Sequence, residues 1–127
     1  MITHDFVFEV IVRVDPDKSR FISSLCNITQ NRDQGEIQGD ITKEDNRKVF
    51  TIETSEVNDD IIGIGMGYKF YVETIRKSFL LGCDKFRSSI TRNDNSTNVW
   101  EKIYNSFYNV DKLKKYYSIT KPIKQIL

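Results

Sequence analysis

The chain has 127 residues, of which 39% are hydrophobic and 29% charged, and its formal net charge is +1. That length suits one domain, which buries enough apolar surface to need no metal or disulfide staple. The two prolines and six glycines argue against a disordered or low-complexity chain, and no apolar run approaches the ~20 residues of a membrane helix.

The opening "MITHDFVFEV" carries neither a basic n-region nor a small-residue cleavage site, so it reads as a true start and the expected location is cytoplasmic. "DFVFEVIVRV" alternates. Phe6, Phe8, Val10, Val12 and Val14 face one way and Val7, Glu9, Ile11 and Arg13 the other, the pattern of a strand with one core face. Asp15 and Pro16 then supply an N-cap and an N1 proline. Phe21, Ile22, Leu25 and Ile28 follow at helical spacing, which predicts a first helix over about residues 16–30.

Two strands come next. "EIQGDIT" places Ile37 and Ile41 on one face and "KVFTIET" places Phe50 and Ile52 there. "KEDNR" between them has hairpin length and turn composition. Both strands are thinly apolar, so the sheet is expected to have one wet face.

"NDDIIGIGMGYKF" admits two readings. As a phosphate-cradling loop it needs GxGxxG between strand and helix, or GxxxxGK[ST]. Gly63 and Gly65 are followed by Tyr68 instead, and the predicted strand ends near Thr54. As a helix it has Asn58 for a cap, Asp59 and Asp60 in the first turn, and Val57 and Ile62 as a hydrophobic staple. Ile61, Ile64, Tyr68, Val72, Ile75, Phe79, Cys83, Phe86 and Ile90 recur at steps of three and four. The helical reading is preferred, giving one long helix over 59 to about 90. Along it Gly63, Gly67, Thr74, Ser78 and Gly82 form a lane of small residues, a candidate interface where another helix packs closely.

"TRNDNST" breaks the pattern, and Asn98 with Glu101 resembles a capping box. Val99, Ile103, Phe107 and Val110 predict a third helix, to about 109 or on to 117. Residues 98–127 hold six lysines against Glu101 and Asp111, whereas residues 1–97 are slightly acidic. Within this basic, aromatic end, Lys112, Lys114 and Lys115 would neutralise phosphates and Tyr116 or Tyr117 would stack on unpaired bases. The plainer reading is a solvated helix whose aromatics pack on the domain.

Other chemistry is sparse. His4 has no second histidine and reads as an exposed bystander. Cys26 and Cys83 read as reduced, buried thiols. The sequons at Asn27 and Asn95 read as accidental without a secretion signal. Capping explains Asp59 and Asp60 without a metal. No GxSxG, HExxH or Cys–His–Asn set is present, so no cofactor and no catalysis are expected.

"FEVIVRVDPDKSRFISSL" and "EDNRKVFTIETSEVNDDIIGIGMG" resemble the first strand and helix, and the third strand into the second helix, of the small Pcc-type subunit of the KEOPS tRNA-modification complex. The resemblance spans about residues 5–90. It departs from the family pattern at Gly63 and Gly67, where an arginine and an asparagine are usual, and the chain runs about 35 residues longer. It implies a non-catalytic, dimer-forming scaffold whose helical face docks a catalytic subunit and helps position tRNA.

The expectation is therefore a single α+β domain over residues 1–127. An antiparallel sheet of three to four strands is packed by helices in the order β-α-β-β-α(long)-α, and residues 98–127 form a helical extension. The expected function is binding, in a homodimer or larger complex with an RNA contact at the C-terminal end and no membrane. The alternative is a small-ligand or nucleotide-binding inhibitor of phage or immunity type.

Overall fold

The first helix expected from the sequence is a strand. In the computed structural model, which describes residues 7–15, 17, 19–58 and 65–122, β1 (Phe8–Asp15) and β2 (Arg20–Asn27) form an antiparallel hairpin. The turn between them holds an Asp17 backbone N–H on Asp15 Oδ1 at 3.1 Å and Ser19 at φ 51°. Along β2 the inward positions are Phe21, Ser23, Leu25 and Asn27, each at most 1% exposed. Two of these four are polar, and that is what hid the period of two. Their burial is tolerated because each is hydrogen-bonded. Ser23 Oγ lies 2.8 Å from Thr74 Oγ1, and Asn27 Nδ2 donates to Gln34 Oε1 at 2.9 Å.

The next hairpin is the expected one, with longer arms. β3 (Arg32–Glu44) and β4 (Arg47–Val57) pair antiparallel around Asp45 and Asn46. Both turn residues have positive φ, 51° and 64°, as a two-residue type I′ turn requires. Gln38 pairs with Thr54 and Gly39 with Ile52, so Glu53 is an extra residue in β4, and such a bulge bends and twists its strand. Gly39 sits where β3 closes on β4: a Cβ there would lie 1.8 Å from the Thr51 carbonyl oxygen.

The long helix over 59–90 is corrected to α1, Met66–Leu80. Residues 59–64, with Gly63, lie outside the described residues. The C-terminal stop is chemical. Gly82 takes φ 99°, its N–H donates to the Phe79 carbonyl, and the Cys83 N–H reaches the Ser78 carbonyl, both at 3.1 Å. This is a Schellman ending, which favours glycine in the left-handed position. The apolar spacing carried on through Cys83 and Phe86 because both are buried, but Cys83 from the connection after the helix and Phe86 from β5 (Lys85–Arg87).

The expected third helix starts earlier and ends sooner, as α2 (Asp94–Ser106). The segment after it is not helical. β6 (Val110–Lys112) and β7 (Tyr117–Thr120) pair antiparallel, and β7 joins β5. The sheet is thus seven-stranded and mixed, in the order β1-β2-β3-β4-β5-β7-β6, not a three- or four-stranded antiparallel one. α1 and α2 share one core with a single sheet face. Phe70, Tyr71 and Ile75 meet Trp100 and Ile103 over Phe21, Leu25, Ile37, Phe50 and Phe86. The other face carries Glu9, Ile11, Arg13, Glu36, Asp40 and Glu53, all exposed.

Both cysteines are free, Cys83 buried and Cys26 half-buried, and burial pushes the Cys83 thiol up to about 12. Two glycine substitutions separate the roles argued above. Gly39→Ala should cost about 3 kcal/mol in urea unfolding, because two backbones must part. Gly67→Ala should be neutral or stabilise by up to ~1 kcal/mol, since its Cβ would meet only Val99 Cγ2 at 3.8 Å. Equal losses at both positions would refute the close approach at Gly39.

Candidate functional site

β4 and β5 run parallel but pair over only three positions, Val49 with Lys85, Phe50 with Phe86 and Thr51 with Arg87. The chain then leaves β4. The Ser88 N–H donates to the Tyr117 carbonyl at 2.9 Å, so residues after Arg87 follow β7. From Ile52 to Val57 the edge of β4 turned away from β3 has no strand beside it among the described residues. A cleft opens there, beyond the carboxyl ends of two parallel strands, the place where ligands bind in open α/β sheets.

Two cavities fill this cleft. One of about 480 Å³ opens beside Glu36, Gln38, Glu53 and Arg92. The other, of about 520 Å³, opens beside Gly65, Gly67, Tyr68, Asn98 and Lys102. They share Ser55, Glu56, Tyr71, Asn93 and Ser96. At their junction the Tyr71 hydroxyl donates to Ser55 Oγ at 2.6 Å and lies 3.3 Å from Ser96 Oγ. Three elements, β4, α1 and α2, each place one hydroxyl at this point.

Both helices also begin at the cleft. α1 starts after Gly65 at φ 83°, with no side chain among the described residues capping it and no acidic residue in its first turn. Its leading N–H groups and the positive end of its dipole are therefore left for an anion. Lys102 stands at the same mouth, its ammonium 4.4 Å from the Tyr68 ring centre. α2 differs, because Asn93 Oδ1 caps it by accepting from the Ser96 N–H at 2.8 Å. The cap expected at Asn98 is thus replaced by Asn93.

Below the cleft Trp100 is fully buried. Its ring lies 5.7 Å from Tyr117 at 15° and 5.9 Å from Tyr71 at 80°. Tyr117 donates its hydroxyl to Glu101, and Lys112 pairs with the same carboxylate at 2.9 Å. The Tyr117 and Lys112 hydrogen bonds hold the Glu101 carboxyl below its ordinary range, and burial pushes the Tyr117 hydroxyl up.

The residues singled out from the sequence fall in separate places. Gly67 lies in the first turn of α1, on the cleft rim. Thr74 and Ser78 are fully buried under α1, Thr74 bonded to Ser23 and Ser78 Oγ to the Thr74 carbonyl at 2.7 Å. Gly82 lies beyond the helix. Of the C-terminal set, Lys112 and Tyr117 are tied to Glu101, and Tyr116 lies under the Arg87 guanidinium at 5.0 Å. Lys114 and Lys115 are exposed in the turn between β6 and β7. His4 lies outside the described residues. Asn27, the first sequon asparagine, is buried.

The sequence argues against a phosphate loop on two grounds, a spacing that puts Tyr68 where a glycine is needed and a strand expected to end near Thr54. β4 reaches Val57 and α1 begins at Met66, so only the second ground fails: Gly65 does stand between a strand and a helix, while Gly67 lies inside the helix. Ser55, Tyr71, Asn93 and Ser96 escaped sequence reading altogether, because only folding gathers them.

Among solved structures, a chain of the NatC complex bound to Gag peptide and CoA is similar to this one with a TM-score of 0.61 and 16% identity, over 80% of this chain and 71% of that one. An acetyltransferase from Trypanosoma brucei matches at 0.56 and 20%, over 76% and 68%. A GNAT-family acetyltransferase from Staphylococcus aureus matches at 0.56 and 14%, over 82% and 69%. The fold is GNAT-like. No protein-family model matches the chain, and no curated protein sequence matches it either. This fold overturns the resemblance to the KEOPS subunit, and the expectation of a non-catalytic tRNA-modification scaffold that rested on that resemblance falls with it. Among the described residues no helix is long and apolar enough to cross a membrane, and no group of three or more His, Cys, Asp and Glu side chains is placed to hold a metal.

The reassigned cap is directly testable. Asn93→Ala should lower stability by about 1 kcal/mol in chemical denaturation while Asn98→Ala changes little. The reverse order would show that α2 starts where the sequence pattern put it.

Proposed function

We propose that this chain is an acyl-CoA-dependent acyltransferase that uses the cleft between β4 and β5. The observation that carries the reading is the start of α1, with no acidic residue in its first turn and no side-chain cap among the described residues, opening on the cleft where β4 has lost its neighbour. The residues present fit such a group. Leading N–H groups of α1 suit phosphates, Gly65 leaves open space beside them, and Lys102 adds positive charge at the same mouth. The unpaired edge of β4 offers backbone N–H and C=O groups to an extended, amide-bearing chain, as a missing neighbouring strand would.

Bound there, a CoA thioester supplies an activated acyl group. The protein's own part is to hold and orient. The α1 N-terminus fixes the phosphate end, and the edge of β4 directs the chain towards the hydroxyls of Ser55, Tyr71 and Ser96. The cavity of about 480 Å³ admits the acceptor. Its mouth bears Glu36, Glu53 and Glu56, and Glu36 stands directly opposite Glu56 on the neighbouring strand. Like charges so placed repel, which favours a cationic amine at that mouth.

Binding is the first test. CoA in large excess over its dissociation constant should stabilise the protein by about 2–3 kcal/mol, a rise of several degrees in melting temperature. Gly67→Asp puts a carboxylate in the first turn of α1, where it suits the helix but opposes phosphate. That variant should melt no lower than wild type yet bind CoA about tenfold more weakly by calorimetry. No thermal shift with CoA or acetyl-CoA, or unchanged binding by Gly67→Asp, would overturn the proposal.

A further inference from the structure

β1 is the first strand of the sheet, with β2 on one side and no strand on the other among the described residues. The Ile28 N–H donates to the Val7 carbonyl at 2.8 Å, which sets the phase of the ladder. Val7, Glu9, Ile11, Arg13 and Asp15 turn their backbone groups to β2, and the even-numbered residues turn theirs to the open edge. Lys77 of α1 confirms this, donating its ammonium to the Val10 carbonyl. A carbonyl oxygen has two lone pairs, so that contact leaves an acceptor site on Val10.

The side chains along this edge are self-complementary. Glu9, Ile11 and Arg13 are exposed on the helix-free face, and neither Glu9 nor Arg13 forms an ion pair among the described residues. From the geometry of this edge we infer that β1 pairs antiparallel with β1 of a second copy, about a two-fold axis through Ile11, joining two sheets into one. In that register Glu9 stands opposite Arg13 of the second copy, twice by symmetry, and Ile11 opposite Ile11. On the helix-covered face Val10 meets Val12 and Phe8 meets Val14. Backbone bonds run between Val10 and Val12, the even-numbered residues that face the edge. Neighbouring registers fail: centring on Val12 sets Glu9 against Asp15, and centring on Val10 sets Glu9 against Ile11. The occupant is a second copy because β1 itself offers the matching order, Glu9, Ile11 and Arg13, and a two-fold contact requires that self-match.

Sedimentation equilibrium tests the pairing without reference to any activity. Wild type should dimerise. Glu9→Arg and Arg13→Glu, each setting like charges opposite one another, should weaken the dimer by about tenfold or more. The double variant Glu9→Arg/Arg13→Glu should restore it, with unchanged melting showing that all variants fold. In a Cys26→Ser background, Ile11→Cys should form a disulfide-linked dimer under mild oxidation and Glu9→Cys should not, since only Ile11 faces itself. A monomeric wild type, single charge reversals that leave the dimer intact, or a double variant that does not recover would overturn the inference.

Discussion

The arrangement of the molecule depends on how briefly β4 and β5 stay together. Phe50 and Phe86 are paired neighbours on these strands, and both are fully buried in the aromatic core with Phe21 and Trp100. That cluster pins the strands at one end. Past Thr51 and Arg87 the two strands pair no further, and the Ser88 N–H turns to the Tyr117 carbonyl instead. The chain beyond it follows β7. The bulge at Glu53 twists β4 further. A seven-stranded sheet therefore splits in the middle, and the starts of both helices and an unpaired length of backbone collect at the split.

The same core explains why polar residues are tolerated so deep. Ser23, Thr74 and Ser78 are fully buried between β2 and α1, each with a hydrogen-bond partner, and their small size lets the helix sit low on the sheet. Of the expected lane of small residues, only Gly67, Thr74 and Ser78 lie on α1. Thr74 and Ser78 are spent on the chain's own sheet, while Gly82 ends the helix. At the C-terminal end Trp100, Tyr117, Glu101 and Lys112 use the aromatic and basic residues to lock β6 and β7 against α2.

Several features were legible in the residues. The alternation of β1, the Asp45–Asn46 hairpin and the thinly apolar β3 and β4 follow from nearest-neighbour sterics and one-sided burial. Others misled for identifiable reasons. Asp15 and Pro16 suit a helix start and a turn equally. The polar inward residues of β2 erased its period, and Cys83 and Phe86 kept helical spacing by accident. The glycines between Val57 and Met66 lacked a GxGxxG spacing, so their position between strand and helix was visible only once both ends were placed.

What the sequence by itself determined is local: which segments alternate, where a tight hairpin must turn, and that an aromatic core was available. The tertiary structure alone decided that Gly82 stops a helix, that residues after Arg87 join a sheet, and that Ser55, Tyr71, Asn93 and Ser96 meet in one cleft. The reason is the parallel contact between β4 and β5. It joins residues more than thirty positions apart through backbone groups every residue carries, so no side-chain pattern announces it.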